Sequence, residues 1–292
     1  MPKNVLVTGA TGTVGSLVVT ALASVGLRPR AFVRDLEKAR GLIGDGADLE
    51  VGDLAGPDTL RSALTEVDAL FLACGNVPDQ KALECAAIDA ARDAGVSRVV
   101  KLSARGAAPD ASATAWRVHA AIEQHLTESG LEAVILRPSF FMTNLLAAAT
   151  PVREHNLLPA AAGDTPIAMI HPADIAAVAA RALLDEAVTP GVVHLSGSEA
   201  LTYSAVARRL SDVLGRAISY LDLTPAAARQ AMTAAGLPEA AANQILEIFA
   251  ALRDGAYATT TDDVARLTGR PATYLGEFAR DHAALFGDLV LR

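Results

Sequence analysis

The chain has 292 residues, 51% of them hydrophobic, enough to bury a substantial core as one large domain or a main domain with a smaller partner. A formal net charge of -8 argues against direct nucleic-acid binding, which normally needs a basic face to neutralise phosphates. The amino terminus runs straight into a strand pattern without the parts of a secretory signal, and no apolar run approaches the roughly 18 residues that span a bilayer, so a soluble cytoplasmic protein without a membrane partner is expected. The two cysteines, Cys74 and Cys85, form no CxxC pair and no Cys/His cluster, so they read as reduced packing residues and no metal site is expected.

In chain order, "NVLVTG" (4–9) reads as a buried strand, and "TVGSLVVTALASVG" (13–26) sets Val14, Leu17, Val18, Ala21, Leu22 and Val25 at helical spacing, with Gly26 placed to stop the helix. The alternation continues through strand "RAFV", a helix from Leu36, strand "DLEV", a helix from Pro57, strand "DALFLA", a helix from Asp79 to Ala94, strand "RVVKLSA", a helix from Thr114 to Ser129 and strand "EAVILRP". Alternating short strands and longer helices are the pattern of βαβ units, so the expected fold class is α/β, a Rossmann-type doubly wound parallel sheet.

After Pro138 the alternation loosens. "PSFFMTNLLAAAT" reads as a loop and a helix, "REHNLLPAAAGDTP" as a loop of small residues, and "IAMIHPADIAAVAARALLDE" as a short strand and a helix with Pro172 in its first turn and Asp174 near its N-terminus. "GVVHLSGSEALTYSAVARRLSDVLGRAISYLDLTP" supplies strand, helix and strand, and residues 225–285 are almost wholly helical, broken at "GLPE" and "TGRPAT". The expected organisation is a nucleotide-binding core over residues 1–138, followed over 139–292 by remaining core elements (about 165–195) and a small, mostly helical C-terminal lid, in one continuous unit.

The strongest local signal is "TGATGTVG", which puts Gly9, Gly12 and Gly15 between the first strand and the first helix. Glycines there permit a tight turn and a close backbone approach to a pyrophosphate, and the helix N-terminus adds N–H donors. Thr11 and Thr13 add hydroxyls, and Val14 completes the turn. At the end of the second strand, Val33 falls where a dinucleotide fold commonly keeps the acid that holds a ribose hydroxyl, and Arg34 follows it. A guanidinium there grips a 2′-phosphate, with Lys38 or Arg40 adding positive potential, so NADP(H) is favoured over NAD(H); the alternative is that Arg34 is a plain surface residue and Asp35 serves the ribose. Asp53, with Leu54 beside it, either bonds an adenine edge or caps a turn, and "LACG", which includes Ala73, Cys74 and Gly75, would run under the adenine and ribose.

Together, "VLVTGATGTVG", "VRD", "GDL", "RVVKLSA", "HxxxExxL" (119–126), "ILRPSFFMTN", "PADIAAVAA" and "TTDDVARLTGRPATYLGEFARDHAALF" resemble the NmrA-like branch of the extended and atypical short-chain dehydrogenase/reductase superfamily. That branch includes NADPH-dependent quinone reductases, triphenylmethane reductases, isoflavone-reductase-like enzymes and regulators that sense the cofactor. The resemblance implies that Ser103 matches the serine at the end of the fifth strand, that Ala115 stands at the place of the catalytic Tyr, that His119 stands at the place of the Lys, and that Glu123 follows one turn on. It also implies that Pro138 and Phe140 pass beside the nicotinamide, leaving Phe141, Met142, Asn144 and Trp116 as pocket walls. Phe141 and Met142 otherwise read as core, and Trp116 as a cover for the helix terminus.

A methyl group cannot donate a proton, so Ala115 rules out the usual Tyr-to-carbonyl step. Hydride transfer belongs to the cofactor, however, and quinones or conjugated cations spread the developing charge, so the expected substrate is a planar, conjugated small molecule. His119 is the candidate to bond the nicotinamide ribose or act as acid; its alternative is a bond to Glu123. Ser103 either meets substrate or nicotinamide or satisfies a strand-end group, and His171, before "PAD", is a further candidate. The expected function is an NAD(P)H-dependent reductase working without the Tyr/Lys pair, as a monomer or homodimer. The alternative is a non-catalytic NADP(H) sensor that reports to a protein partner.

Overall fold

In the computed structural model, which describes residues 4–287, the first half alternates strictly between strand and helix. The elements are β1 (Val5–Val7), α1 (Gly15–Ser24), β2 (Arg30–Val33), α2 (Leu36–Ile43), β3 (Asp48–Val51), α3 (Pro57–Ala63), β4 (Ala69–Leu72), α4 (Gln80–Asp93), β5 (Arg98–Leu102), α5 (Thr114–Glu128) and β6 (Glu132–Pro138). The chain continues through α6 (Ala149–His155), β7 (Leu157–Ala160), α7 (Pro172–Leu184), β8 (Gly191–Leu195), α8 (Tyr203–Leu214) and β9 (Ser219–Asp222). A run of helices completes it: α9 (Pro225–Ala234), α10 (Glu239–Arg253), α11 (Asp263–Thr268), α12 (Leu275–Asp281) and α13 (Ala283–Phe286).

Seven strands form one parallel sheet in the order β3-β2-β1-β4-β5-β6-β8. The central strands are rich in apolar residues because both faces are covered, as parallel sheets require. In β4, Ala69 and Phe71 join a core with Val18, Val19, Ile175 and Val178 of α1 and α7, whereas Leu70 and Leu72 pack with Leu60, Ile88, Ile122 and Leu126 of α3, α4 and α5. The strand order reverses between β1 and β4. In open α/β sheets, a crevice outside the strand carboxyl ends at such a switch point is where ligands bind.

The C-terminal part holds its own cluster, in which Leu145, Val152 and Leu158 pack with Val206, Leu210, Phe278 and Phe286. Two sequence expectations are corrected here. "REHNLLPAAAGDTP" is not a loop: α6 runs through Arg153–His155 and turns at left-handed Asn156, and Leu157–Ala160 is β7, paired in parallel with β9. Its partner lies some sixty residues downstream, so no local pattern announces it, and the C-terminal region, although mostly helical, is built around a two-stranded sheet. The short strand expected in "IAMI" is reduced to isolated bridges, Phe141 with Ile170 and Ile167 with Leu201. No helix among the described residues is long and apolar enough to cross a membrane.

Candidate functional site

The sheet order puts one row of residues at the carboxyl ends of adjacent strands: Asp53 after β3, Arg34 after β2, Gly9 after β1, Ala73 to Gly75 after β4, Ser103 after β5, and Pro138 to Phe140 at the end of β6. With neighbouring strands about 4.8 Å apart, Arg34 and Ser103 are separated by roughly 14 Å across the row. Positions far apart in the sequence thus share one edge.

At the centre, Gly9 has φ +60°, and the Thr8 hydroxyl ties the turn to the main chain of Ala73 at 2.9 Å. A Cβ on Gly15 would stand 2.1 Å from the Gly9 carbonyl oxygen, so only glycine lets α1 start this close under the turn. Gly12 donates its N–H to that same carbonyl at 2.8 Å and, with Thr13, is exposed, while Thr11 is half-buried and Val14 is buried in the core. Helix α1 has no side-chain cap; the Ser16 N–H is held by the Gly12 carbonyl at 3.1 Å, and no side chain competes with a ligand oxygen for the other amides of the first turn. A glycine cradle and an uncapped helix start fit the pyrophosphate of a dinucleotide.

After β2 stand the two residues for which the sequence leaves alternative roles. Asp35 caps α2, its Oδ1 accepting the Lys38 N–H at 3.0 Å, so its carboxylate already has work. Arg40 pairs with Glu37 at 2.9 Å. Arg34 and Lys38 are exposed, and among the described residues their charged groups form no ion pair. Asp53 is exposed, and its Oδ1 accepts the Ala55 N–H at 2.9 Å, so it shapes its turn; Leu54 is half-buried against the α3 and α4 core. Ala73 is buried, Cys74 half-buried with its thiol pushed up by burial, and Gly75 exposed.

The other end of the row carries a polar network. Ser103 donates to the Glu123 carboxylate, which also receives Arg137 Nε at 3.0 Å and the far Arg137 nitrogen at 2.5 Å. His119 does not pair with Glu123. Its Nδ1 lies 3.4 Å from the Lys101 Nζ, and that ammonium sits 2.7 Å from Glu84 with both side chains fully buried. Burial, and next the Lys101 ammonium, hold the His119 imidazole well below its ordinary value. The neutral ring is therefore a hydrogen-bonding group at neutral pH and not a ready imidazolium acid. Sequence reasoning misses Lys101 and Glu84; the available signal is a lone Lys inside the apolar strand "RVVKLSA".

The residues expected to wall a pocket divide. Trp116 is buried over Gly106, where an added Cβ would meet the indole at 2.2 Å, and packs on Tyr257 with ring centroids 5.5 Å apart. Met142 is buried in the C-terminal cluster, Phe141 is half-buried on the sheet core, and Asn144 is exposed. Phe140 is half-buried against Phe249 at 6.1 Å, its carbonyl accepting the Ile170 N–H, while the Pro138 carbonyl accepts the Arg105 N–H. His171 caps α7, Nδ1 accepting the Ala173 N–H at 3.0 Å. Near Ala115, the Thr114 N–H donates to Glu247 of α10 at 2.7 Å, so the C-terminal region clamps the first turn of α5. Among the described residues no His/Cys/Asp/Glu group has metal-binding geometry.

A model of the NmrA-like family matches residues 1–278. The chain belongs to the NmrA-like family. The NAD(P)H azoreductase of Xenophilus azovorans is 40% identical over 283 residues, covering 97% of this chain and 99% of the relative. The (4-alkanoyl-5-oxo-2,5-dihydrofuran-3-yl)methyl phosphate reductase of Streptomyces griseus is 36% identical with the same coverage. Among solved structures, the NADPH-dependent quinone oxidoreductase QOR2 of Escherichia coli, complexed with NADPH, is similar at a TM-score of 0.87 and 30% identity, covering 96% of this chain and 99% of that one. The α/β fold expected from the sequence is the fold of these NmrA-like neighbours.

Burial also lowers His171 and His194, so this NmrA-like chain keeps three imidazoles neutral to lower pH when folded than when unfolded. As pH falls below about 6.5 the unfolded chain takes up protons first. Stability is therefore full above that pH and is lost below it, down to the folded-state values, by at most about 1.4 kcal/mol per pH unit for His119. Thermal melts from pH 7 to pH 5 should show a falling Tm, with a shallower fall in His119→Gln. Equal slopes in the two proteins would contradict this account.

Proposed function

We propose that the chain is an NADPH-dependent reductase that passes hydride to an electron-poor, conjugated small molecule without a Tyr/Lys pair. The observation that carries the cofactor reading is the exposed Arg34, which forms no ion pair among the described residues, beside an Asp35 whose Oδ1 caps α2, next to the glycine cradle. A guanidinium in that place favours a 2′-phosphate over a bare ribose. When bound, the nicotinamide supplies the hydride. Gly12, Gly15 and the start of α1 would hold the pyrophosphate, Arg34 and Lys38 the 2′-phosphate, and the Ser103, His119 and Phe140 end of the row would face the reacting ring.

The acceptor class follows from what the α5 end of the row lacks. Ala115 offers no proton, and His119 is held neutral, so acceptors that delocalise the incoming charge suit this edge better than simple ketones. The relatives' names support this, since an azo group, a quinone and a dihydrofuran double bond flanked by ring and side-chain carbonyls are all conjugated and electron-poor.

The test is loss of NADPH absorbance with quinones, azo compounds and acyl-furanones, against NADH and against unconjugated ketones. The expected result is turnover with at least one conjugated class and a preference for NADPH. Arg34→Ala should raise KM for NADPH on the order of 10- to 100-fold, as loss of a charge-assisted phosphate contact does, and leave KM for NADH almost unchanged. NADPH binding without turnover across the panel would assign the chain to the sensor alternative instead; no binding of either nucleotide would overturn both.

A further inference from the structure

Between β5, α4 and α5, in a layer otherwise made of Ile88, Val99, Ile122 and Leu126, lies one buried ion pair that no step of the proposed reaction uses. The Lys101 ammonium has three N–H donors and three neighbours in reach: Glu84 Oε2 at 2.7 Å, the Leu102 carbonyl at 2.6 Å and His119 Nδ1 at 3.4 Å. Glu84 is itself held by Gln80, whose Nε2 donates to Oε1 at 2.9 Å. Burying such a pair brings little net stability, because desolvation offsets the attraction. An apolar pair would fill this layer as well. What an apolar pair would not do is act on His119, which is only partly buried and stands on α5 one turn after Ala115.

We infer that Lys101, anchored by Gln80 and Glu84, is a positioning residue that fixes His119 in the tautomer protonated on Nε2, so that the ring offers this N–H to the bound nucleotide or its acceptor. The chemistry is one-directional. An ammonium only donates, so Nδ1 must be the acceptor, and the single proton of a neutral ring then sits on Nε2. Among the charged groups on α5 and the elements packed against it, Glu123 on α5 itself is bonded to Ser103 and Arg137 of β6, Glu247 of α10 to Thr114, and Asp89 of α4 to His125. Lys101 therefore remains the charge acting on His119, in line with the direction of its displacement.

The inference rests on the nucleotide-binding reading above, and the experiment separates the two. In long-range proton–nitrogen NMR of the full chain at pH 7, His119 should show a pyridine-like Nδ1 and a pyrrole-like Nε2, and its titration should lie well below the ordinary histidine range. In the charge-neutral Lys101→Met/Glu84→Gln variant, checked for folding by its melt, the same ring should titrate at a higher pH than in the wild type, with burial still holding it below the ordinary value. Adding NADP⁺ to the wild type should shift the Nε2 resonance. A wild-type ring protonated on Nδ1, a normal titration in the wild type, or an unchanged ring in the double variant would overturn the inference. Failure of NADP⁺ to bind at all, followed separately by protein fluorescence, would overturn the nucleotide reading while the tautomer result stands alone. Binding without an Nε2 shift would overturn only the role assigned to the ring.

Discussion

Gly15→Ala should weaken NADPH binding by on the order of 100-fold, about 2.7 kcal/mol, and lower Tm as well. The added methyl carbon would lie 2.1 Å from the Gly9 carbonyl oxygen and 2.7 Å from its carbon, both backbone atoms that cannot swing aside. Either α1 backs away from β1 or the turn opens, and each movement spoils the alignment of the cradle with the helix start. Gly12→Ala is the informative contrast. Its methyl would meet nothing nearer than the Gly9 oxygen at 3.1 Å, a contact that a shift of a few tenths of an ångström relieves, and Gly12 is exposed, so the expected cost to the fold is small, whereas an approaching pyrophosphate would meet the methyl directly. Gly12→Ala should therefore hold its Tm within a few degrees and still lose affinity. Isothermal titration with NADPH beside thermal melts reads both quantities. If Gly12→Ala bound as tightly as the wild type, the exposed face of this turn would not be the pyrophosphate site.

Lys101→Met should cost about 3–5 kcal/mol of folding stability, the range for removing one partner of a buried ion pair. Both side chains are fully buried, and removing the ammonium leaves the Glu84 carboxylate without its counter-charge in an apolar layer. Adding Glu84→Gln should recover more than half of the loss, because a neutral amide no longer needs the cation and Gln80 remains as its neighbour. Urea denaturation midpoints for the two single variants and the double variant form the cycle that measures this coupling. Additive losses would mean that the two charges do not depend on each other.

Much of the nucleotide end is legible in the amino-acid sequence. Strand, glycine turn and helix are local, and the spacing of Gly9, Gly12 and Gly15 has few other physical uses. Arg34 is legible as a candidate, but the surroundings of Asp35 are not, because only the path of the chain into α2 shows the Asp35 carboxylate bonded to the Lys38 amide. At the other end, the absence of a proton donor at Ala115 can be read directly, whereas the partner of His119 cannot. The helical spacing of His119 and Glu123 points each to the other, yet the tertiary fold gives Glu123 to Ser103 and Arg137 and gives His119 to Lys101. Trp116 likewise looks available for a ligand in the sequence, and packing against Gly106 and Tyr257 buries it.

By itself, the sequence determined the elements whose signals are local: alternating apolar strands and amphipathic helices, the glycine turn between β1 and α1, and the missing tyrosine. These follow from dihedral preference, periodicity and side-chain chemistry, all readable within about one or two helical turns. The tertiary structure alone decided what depends on residues far apart in the chain: the parallel pairing of β7 with β9, and the meeting of Glu84, Lys101 and His119 from three different elements. Each such contact is chosen by which faces pack together and by the need to satisfy buried polar groups, and neither is written in the neighbouring residues.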